Sequence, residues 1–151
     1  MTDSQITALL VDRSVLALTL WAEARDQGLD GLNAVGCVIR NRMADPRWPD
    51  TAKGVCLQPK QFSCWNPGGD ANHARLMAQA ERMVTGLPVT DPRLAECLFL
   101  ADGLLSGVLI DRTKGSTNYW APLAMIPAGR IPDWAKGKRP VTIGDHKFLK
   151  L

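Results

Sequence analysis

The stretch Ser14-Val15-Leu16-Ala17-Leu18-Thr19-Leu20-Trp21-Ala22-Glu23-Ala24-Arg25 limits this chain's folding more than any other. Wound as a helix, at about one hundred degrees per residue, it is apolar on nearly every side. Such a helix has no face to give to water and must lie inside a core. Glu23 is the exception, close to its C-terminal end. A carboxylate there loses water and sits beside the unsatisfied carbonyls at the negative end of the helix dipole, and both effects raise its pKa. A raised pKa makes a carboxyl usable as a general acid. A plainer reading stays open beside this one: Glu23 points outwards from the helix end or pairs with Arg25, as most helix glutamates do.

A length of 151 residues suits one domain, expected to span residues 1–151. With 46% hydrophobic and 22% charged residues, the chain can fill a core and lacks the composition of a disordered segment. Its longest apolar run falls well short of the eighteen or so residues that span a bilayer, so no stable membrane insertion is expected. Met1-Thr2-Asp3-Ser4-Gln5 has no basic start of a secretory leader, and Asp12 and Arg13 interrupt the apolar segment that follows. Synthesis in the cytosol without an export signal is the expectation.

The net charge of +3 favours anionic partners, nucleic acid and wall polymer alike. Basic residues are densest from Arg130 through Lys136, Lys138 and Arg139 to Lys147 and Lys150. They form no stripe along one helix and match no nucleic-acid motif, so no nucleic-acid partner is expected. Cys37, Cys56, Cys64 and Cys97 make no CxxC pair, and His73 and His146 are the only histidines; neither a metal site nor a cofactor is expected. Cys37 and Cys97 fall in helical apolar patterns and read as buried thiols. Cys56 and Cys64 flank a predicted loop, so a disulfide between them stays open.

Along the chain, the pattern predicts a first helix from about Thr2–Gln5 to Arg25, stopped by Gly28. Asp30 is the expected N-cap of a second, Gly31 to Met43, with Leu32, Val35, Val38 and Ile39 at helical spacing. Asp50 or Thr51 caps a short helix through Val55 to Leu57, broken by Gln58-Pro59. Gln61 to Asn66 alternates polar and apolar residues before Pro67-Gly68-Gly69 and reads as an extended piece entering a turn. Two further helices are predicted, Asp70 or Ala71 to about Thr85 and Asp91-Pro92 to about Leu105, the second with a clear N-cap and N1 signal. Beyond Gly107, prolines and glycines break the chain into loops and short strands over the helical body. The fold class is mainly α (α+β).

Several spaced segments together resemble the cell wall hydrolases of the spore-cortex-lytic (SleB-like) type. They are Leu16 to Arg25, Gly31 to Arg42, Gln61-Phe62-Ser63 after Val55 to Pro59, Asn118-Tyr119-Trp120, and Pro140 to Phe148. The resemblance spans roughly residues 14 to 149. It implies a lysozyme-like helical domain with a small β/loop region that cleaves peptidoglycan glycan strands, with Glu23 as the catalytic acid.

The residue types suit that chemistry. Cleaving the bond between N-acetylmuramic acid and N-acetylglucosamine requires a proton for the departing oxygen, which a partly buried glutamic acid supplies. Asp26, Asp70 and Asp145 all fall in loop or cap contexts, so no second acid looks comparably buried, and this favours a lytic transglycosylase over a hydrolysing muramidase. Substrate-binding candidates are Gln61, Phe62, Ser63, Asn118, Tyr119 and His146. Gln61 and Ser63 either bond acetamido groups or face water as ordinary loop residues. Phe62, Trp65, Tyr119 and Trp120 could line a sugar-stacking wall, but each taken alone reads as a core aromatic, with Tyr119 the best of them for the cleft, since its hydroxyl needs a polar partner. Asn41 and Arg42 are expected to tether a neighbouring loop.

By analogy of architecture, the chain looks like a phage or prophage endolysin. It would act as a monomer, wait in the host cytoplasm until a holin opens the inner membrane, and then attack the wall from the periplasm. The opposing reading is a non-catalytic basic module that binds peptidoglycan or nucleic acid. An amidase or peptidase would need zinc ligands or a Cys-His pair, which two histidines hardly provide.

Overall fold

The computed structural model describes residues 3–24, 26–68 and 70–151, with side chains from Val11 onward. The predicted start at Thr2, the partner Arg25 and the turn residue Gly69 lie outside the described residues. The apolar stretch forms helix α1, Asp3–Ala24, and Leu16, Ala17, Leu18, Leu20, Trp21, Ala22 and Ala24 are all buried. A helix without a polar face belongs at the centre, and α1 packs against each of the other α-helices described. These are α2 (Leu29–Met43), the short α3 (Ala52–Cys56), α4 (His73–Val84) and α5 (Pro92–Leu105).

In α2 the expected face of Leu32, Val35, Val38 and Ile39 is fully buried. Gly36 lets α5 approach, because a Cβ there would come 2.3 Å from Leu104 Cδ1. The start of α2 differs from expectation. Gly28 is the N-cap, in extended backbone, and its carbonyl accepts from Leu32 N at 3.0 Å. Asp30 lies inside the first turn, exposed and 3.7 Å from Arg112, where its charge complements the dipole without capping.

Thr51 caps α3 by accepting from Gly54 N, and Asp91 caps α5 by accepting from Arg93 N and Leu94 N at 2.9 and 3.0 Å, with Pro92 following it. Helix α4 begins later than predicted, since Asp70 first closes a turn, accepting from Asn72 N at 2.7 Å through its side chain and from His73 N at 3.1 Å through its carbonyl. It ends as expected, with Gly86 at φ 76° and Leu87 N donating back to Arg82 O. The extended piece predicted over Gln61–Asn66 is instead a 3-10 turn, Ser63–Trp65. Among the described residues no strand lies beside it, and Trp65 N and Asn66 N donate back to Phe62 O and Ser63 O.

The C-terminal third forms a three-stranded antiparallel sheet in the order β1-β3-β2, from β1 (Asn118–Trp120), β2 (Val141–Ile143) and β3 (His146–Leu149). Phe148 pairs with Tyr119 on one side and Val141 on the other, and it joins the main core. Trp120, Ala135 and Leu149 form a second small cluster. The result is a helical body carrying a small sheet, the α+β arrangement anticipated. All four cysteines are free and buried, so Cys56 and Cys64 form no disulfide. Burial pushes the thiols up, Cys37 to about 11 and Cys56 and Cys97 to about 12. No described helix is long and apolar enough to cross a membrane.

Candidate active site

Glu23 lies in the last turn of α1, half-buried. The 3-10 turn is docked onto it. Phe62 and Cys64 anchor that turn in the core at 3% and 0% exposure. Trp65 Nε1 donates to Thr19 Oγ1 at 3.0 Å, and Cys64 N donates to Glu23 Oε1 at 3.3 Å. Thr19 and Glu23 are four residues apart and share one face of α1, so the turn covers that face at two points. Burial holds the Glu23 carboxyl above the ordinary carboxylate range, the Cys64 contacts pull it down, and the charge of Asp70 pushes it up again.

Asp70 is itself half-buried. It accepts from Ser63 Oγ at 2.7 Å as well as from Asn72 N. Asn72 Nδ2 donates to Ala22 O at 3.4 Å, and His73 Nδ1 lies 2.9 Å from Cys64 O. The entry to α4 is thereby tied both to the end of α1 and to the turn above Glu23. The expectation that no second acid is comparably buried needs correction: Asp26 and Asp145 are exposed, but Asp70 is half-buried, as Glu23 is, and close enough for Glu23 to feel its charge.

Strand β1 contributes Tyr119, half-buried, stacked on Phe148 with ring centroids 5.7 Å apart and edge-on to His146 at 5.2 Å. Burial raises the Tyr119 hydroxyl, the charge of Glu23 raises it further, and Arg42 opposes both. Tyr119 therefore shares the electrostatic environment of Glu23. Arg42, 6% exposed, donates from Nε to Thr117 O at 2.7 Å and from Nη1 to Gln61 Oε1 at 3.2 Å, with its guanidinium over the Trp48 ring. Asn41 Nδ2 donates to Asp111 Oδ2 and Ser116 O at 2.8 and 2.9 Å. Both residues tether the loop that leads into β1, as their position in the sequence suggests.

The other candidates divide. Gln61 is exposed but held by Arg42, and Ser63 is exposed and held by Asp70. Asn118 is half-buried beside Tyr119, accepting from Thr117 Oγ1 at 3.0 Å. Phe62 must be reassigned: at 3% exposure it is a core residue with no ring face for a sugar. Trp120 lies in the second cluster, edge-on to Trp134 at 5.3 Å. His146 is 7% exposed, its Nδ1 has no partner among the described residues, and burial holds its pKa down against the charges of Asp26 and Asp145. It packs the ring of Tyr119 and faces away from bulk water.

Gln27 carried no signal in the sequence beyond standing just after α1. Buried at 6% exposure, it donates from Nε2 to Asp145 Oδ2 and accepts from Asp145 N, both at 3.1 Å. This clamps the β2–β3 turn to the helix end that carries Glu23. Gly144, at φ 57°, makes the clamp possible, since a Cβ there would come 2.6 Å from Gln27 Oε1. Helix end, 3-10 turn and sheet are thus fastened around one protonatable carboxyl, an arrangement suited to giving a proton to a bound ligand and taking one back.

Comparison with known proteins bears on the fold and on the family. The catalytic domain of the germination-specific lytic transglycosylase SleB from Bacillus anthracis superposes with a TM-score of 0.59 and 23% identity, covering 92% of this chain and 93% of that one. The catalytic domain of the Bacillus cereus SleB protein gives 0.59 and 22%, covering 92% and 89%. At such identities the likeness is one of fold. A spore cortex-lytic enzyme of Oceanobacillus iheyensis is 36% identical over 52 residues, 34% of this chain and 19% of that protein, so the match spans about a fifth of the relative's length. The cell wall hydrolase family model matches residues 26–149, beginning just after Glu23. Since that match takes in most of its length, the chain belongs to the cell wall hydrolase family.

Proposed function

We propose that this protein cleaves the glycan strands of peptidoglycan as a lytic transglycosylase, with Glu23 as the single acid and base. The observation that carries the proposal is the half-buried Glu23 carboxyl, held above its ordinary range at the end of a core helix. In the proposed step Glu23 gives its proton to the oxygen joining N-acetylmuramic acid to N-acetylglucosamine as the muramyl C1–O bond breaks. The muramyl C6 hydroxyl then loses its proton to the Glu23 carboxylate and bonds to C1, leaving a 1,6-anhydromuramyl end and Glu23 protonated for the next cycle. Tyr119 would hold the sugar beside the acid, with Gln61, Ser63 and Asn118 along the same edge.

One observation favours a second reading. Asp70 sits close enough for its charge to act on Glu23, and a carboxylate so placed could activate water, giving hydrolysis and a reducing end.

The pH dependence tests the role of Glu23. Its pKa is raised, and the acid must be protonated to act, so kcat/KM on soluble glycan strands should fall as pH rises through a limb lying above the ordinary range of a glutamate carboxyl. A rate that stays flat across that interval would exclude Glu23 as the donor.

The proposed setting is a phage or prophage lysin that reaches the wall from the host cytoplasm once a holin has opened the inner membrane. Cells expressing the protein should stay intact until the membrane is permeabilised and then lyse within minutes. Lysis without permeabilisation would count against holin-dependent access.

A further inference from the structure

The net charge is not spread evenly. Residues 130–151 carry six basic and two acidic side chains, a net +4 against +3 for the whole chain, so everything before them sums to −1. On the fold this surplus gathers around a cavity of about 400 Å³ beside β3, where Lys138, Arg139 and Lys150 meet Lys114 from the preceding loop. Phe148 and Val141 contribute apolar wall, and among the described residues no carboxylate lines it. Apolar walls of low dielectric concentrate the field of charges at the rim.

The surroundings are built, not slack. The turn carrying Lys114, at φ 59°, is pinned by the Asp111 carboxylate, which accepts from Thr113 N, Thr113 Oγ1, Gly115 N and Asn41 Nδ2. Asp45, whose carboxyl feels the charge of Lys150, is already paired with Arg47 at 2.8 Å. Among the described residues, none of the four cations has a side-chain ion pair within 4 Å, so their charge is available to a ligand. Phe148 also stacks on Tyr119, which feels the charge of Glu23. Phe148 thus both lines the cavity and packs against Tyr119 of the candidate active site.

We propose that this cavity is an exosite for the free carboxylates of peptidoglycan peptide stems, a role that rests on the glycan-cleaving reading of Glu23. The stems hang from the muramyl residues of the strand that Glu23 would cut, which makes their carboxylates the anions brought nearest. Four cations around one hollow would hold the strand in register and increase its local concentration.

Co-sedimentation with sacculi stripped of phosphate polymers tests this, using Glu23→Gln protein so that the wall stays intact. At low salt, adding Lys138→Glu and Arg139→Glu should weaken binding by on the order of tenfold. At 0.5 M salt or so the difference should vanish, because the screening length falls well below its value of about 8 Å at 0.15 M. Lys114→Glu with Lys150→Glu should act the same way, which guards against a local folding fault in the first pair. Sacculi whose free carboxylates have been capped as amides should bind all variants alike. Equal binding of the variants to untreated sacculi, the same loss on the capped sacculi, or a difference seen only when phosphate polymers remain would each overturn the proposal. Binding is read without cleavage, so failure of the Glu23 mechanism would show separately, as parent protein that binds sacculi and releases no glycan.

Discussion

Glu23→Gln should fold normally and lose wall cleavage by about a hundredfold to ten-thousandfold, the range general acids contribute. The amide keeps the shape of the side chain and can still accept from Cys64 N, which now lies 3.3 Å from Glu23 Oε1, but it has no proton to give at any accessible pH. Stability should not suffer. Glu23's folded pKa is raised, so the native state binds its proton more tightly than the unfolded chain does, and stability falls as pH climbs from the unfolded pKa through the folded one. Replacing the acid by a neutral amide removes that loss, and the variant's Tm at neutral pH should equal or exceed the parent's. Inactivity accompanied by a lower Tm would point to a structural role for Glu23.

Arg42→Ala should have the largest effect on stability. Arg42 is 6% exposed, and its guanidinium reaches Thr117 O at 2.7 Å and Gln61 Oε1 at 3.2 Å. Truncation leaves the carbonyl of Thr117, itself 3% exposed, without that donor, and it frees both the entry to β1 and the segment leading into the 3-10 turn. A loss of about 2–3 kcal/mol is expected from unmade buried hydrogen bonds of this kind, or roughly 5–10 °C in Tm for a domain of this size. Arg42→Lys should recover only part of it, because a single ammonium does not reproduce the guanidinium fork. Calorimetry or thermal denaturation reads the difference; a change within about 0.5 kcal/mol, typical of surface positions, would contradict the tether.

Much of this structure was legible because it is written in local chemistry. The apolar run around Leu16 to Ala24 forces a central helix, and Asp91-Pro92 marks a helix start through a side-chain cap and a preset φ. The broken pattern after Gly107 becomes a small sheet. The segment from Phe62 to Trp65 was misleading, because alternation of buried and exposed residues is shared by strands and by tight turns that bury Phe62 and Cys64. Only the absence of a neighbouring strand decides between them, and that is tertiary information. The same holds for the late start of α4, where the Asp70 side chain closes a turn before the helix begins.

At the candidate site, Glu23 stood out because a charge inside an apolar run is anomalous. Asp70 and Gln27 did not, since each is an ordinary polar residue near a helix end until the chain folds back on it. Asp70 gains its meaning from the proximity of Glu23, and Gln27 from the Gly144-Asp145 turn more than a hundred residues later. Phe62 was harder still. An aromatic residue in a loop looks alike whether it faces a sugar or a core; Phe62 faces a core, and Trp120 does so as an aromatic residue taken alone is expected to.

Mass spectrometry of the fragments released from purified sacculi, with Glu23→Gln protein run alongside, bears most directly on the chemistry at Glu23. Saccharides ending in 1,6-anhydromuramic acid, present with the parent protein and missing with the variant, are the expected result. Reducing muramyl ends would replace intramolecular attack by water and bring Asp70 into the reaction, and anhydromuramyl ends formed equally well by Glu23→Gln would contradict the assignment of the acid.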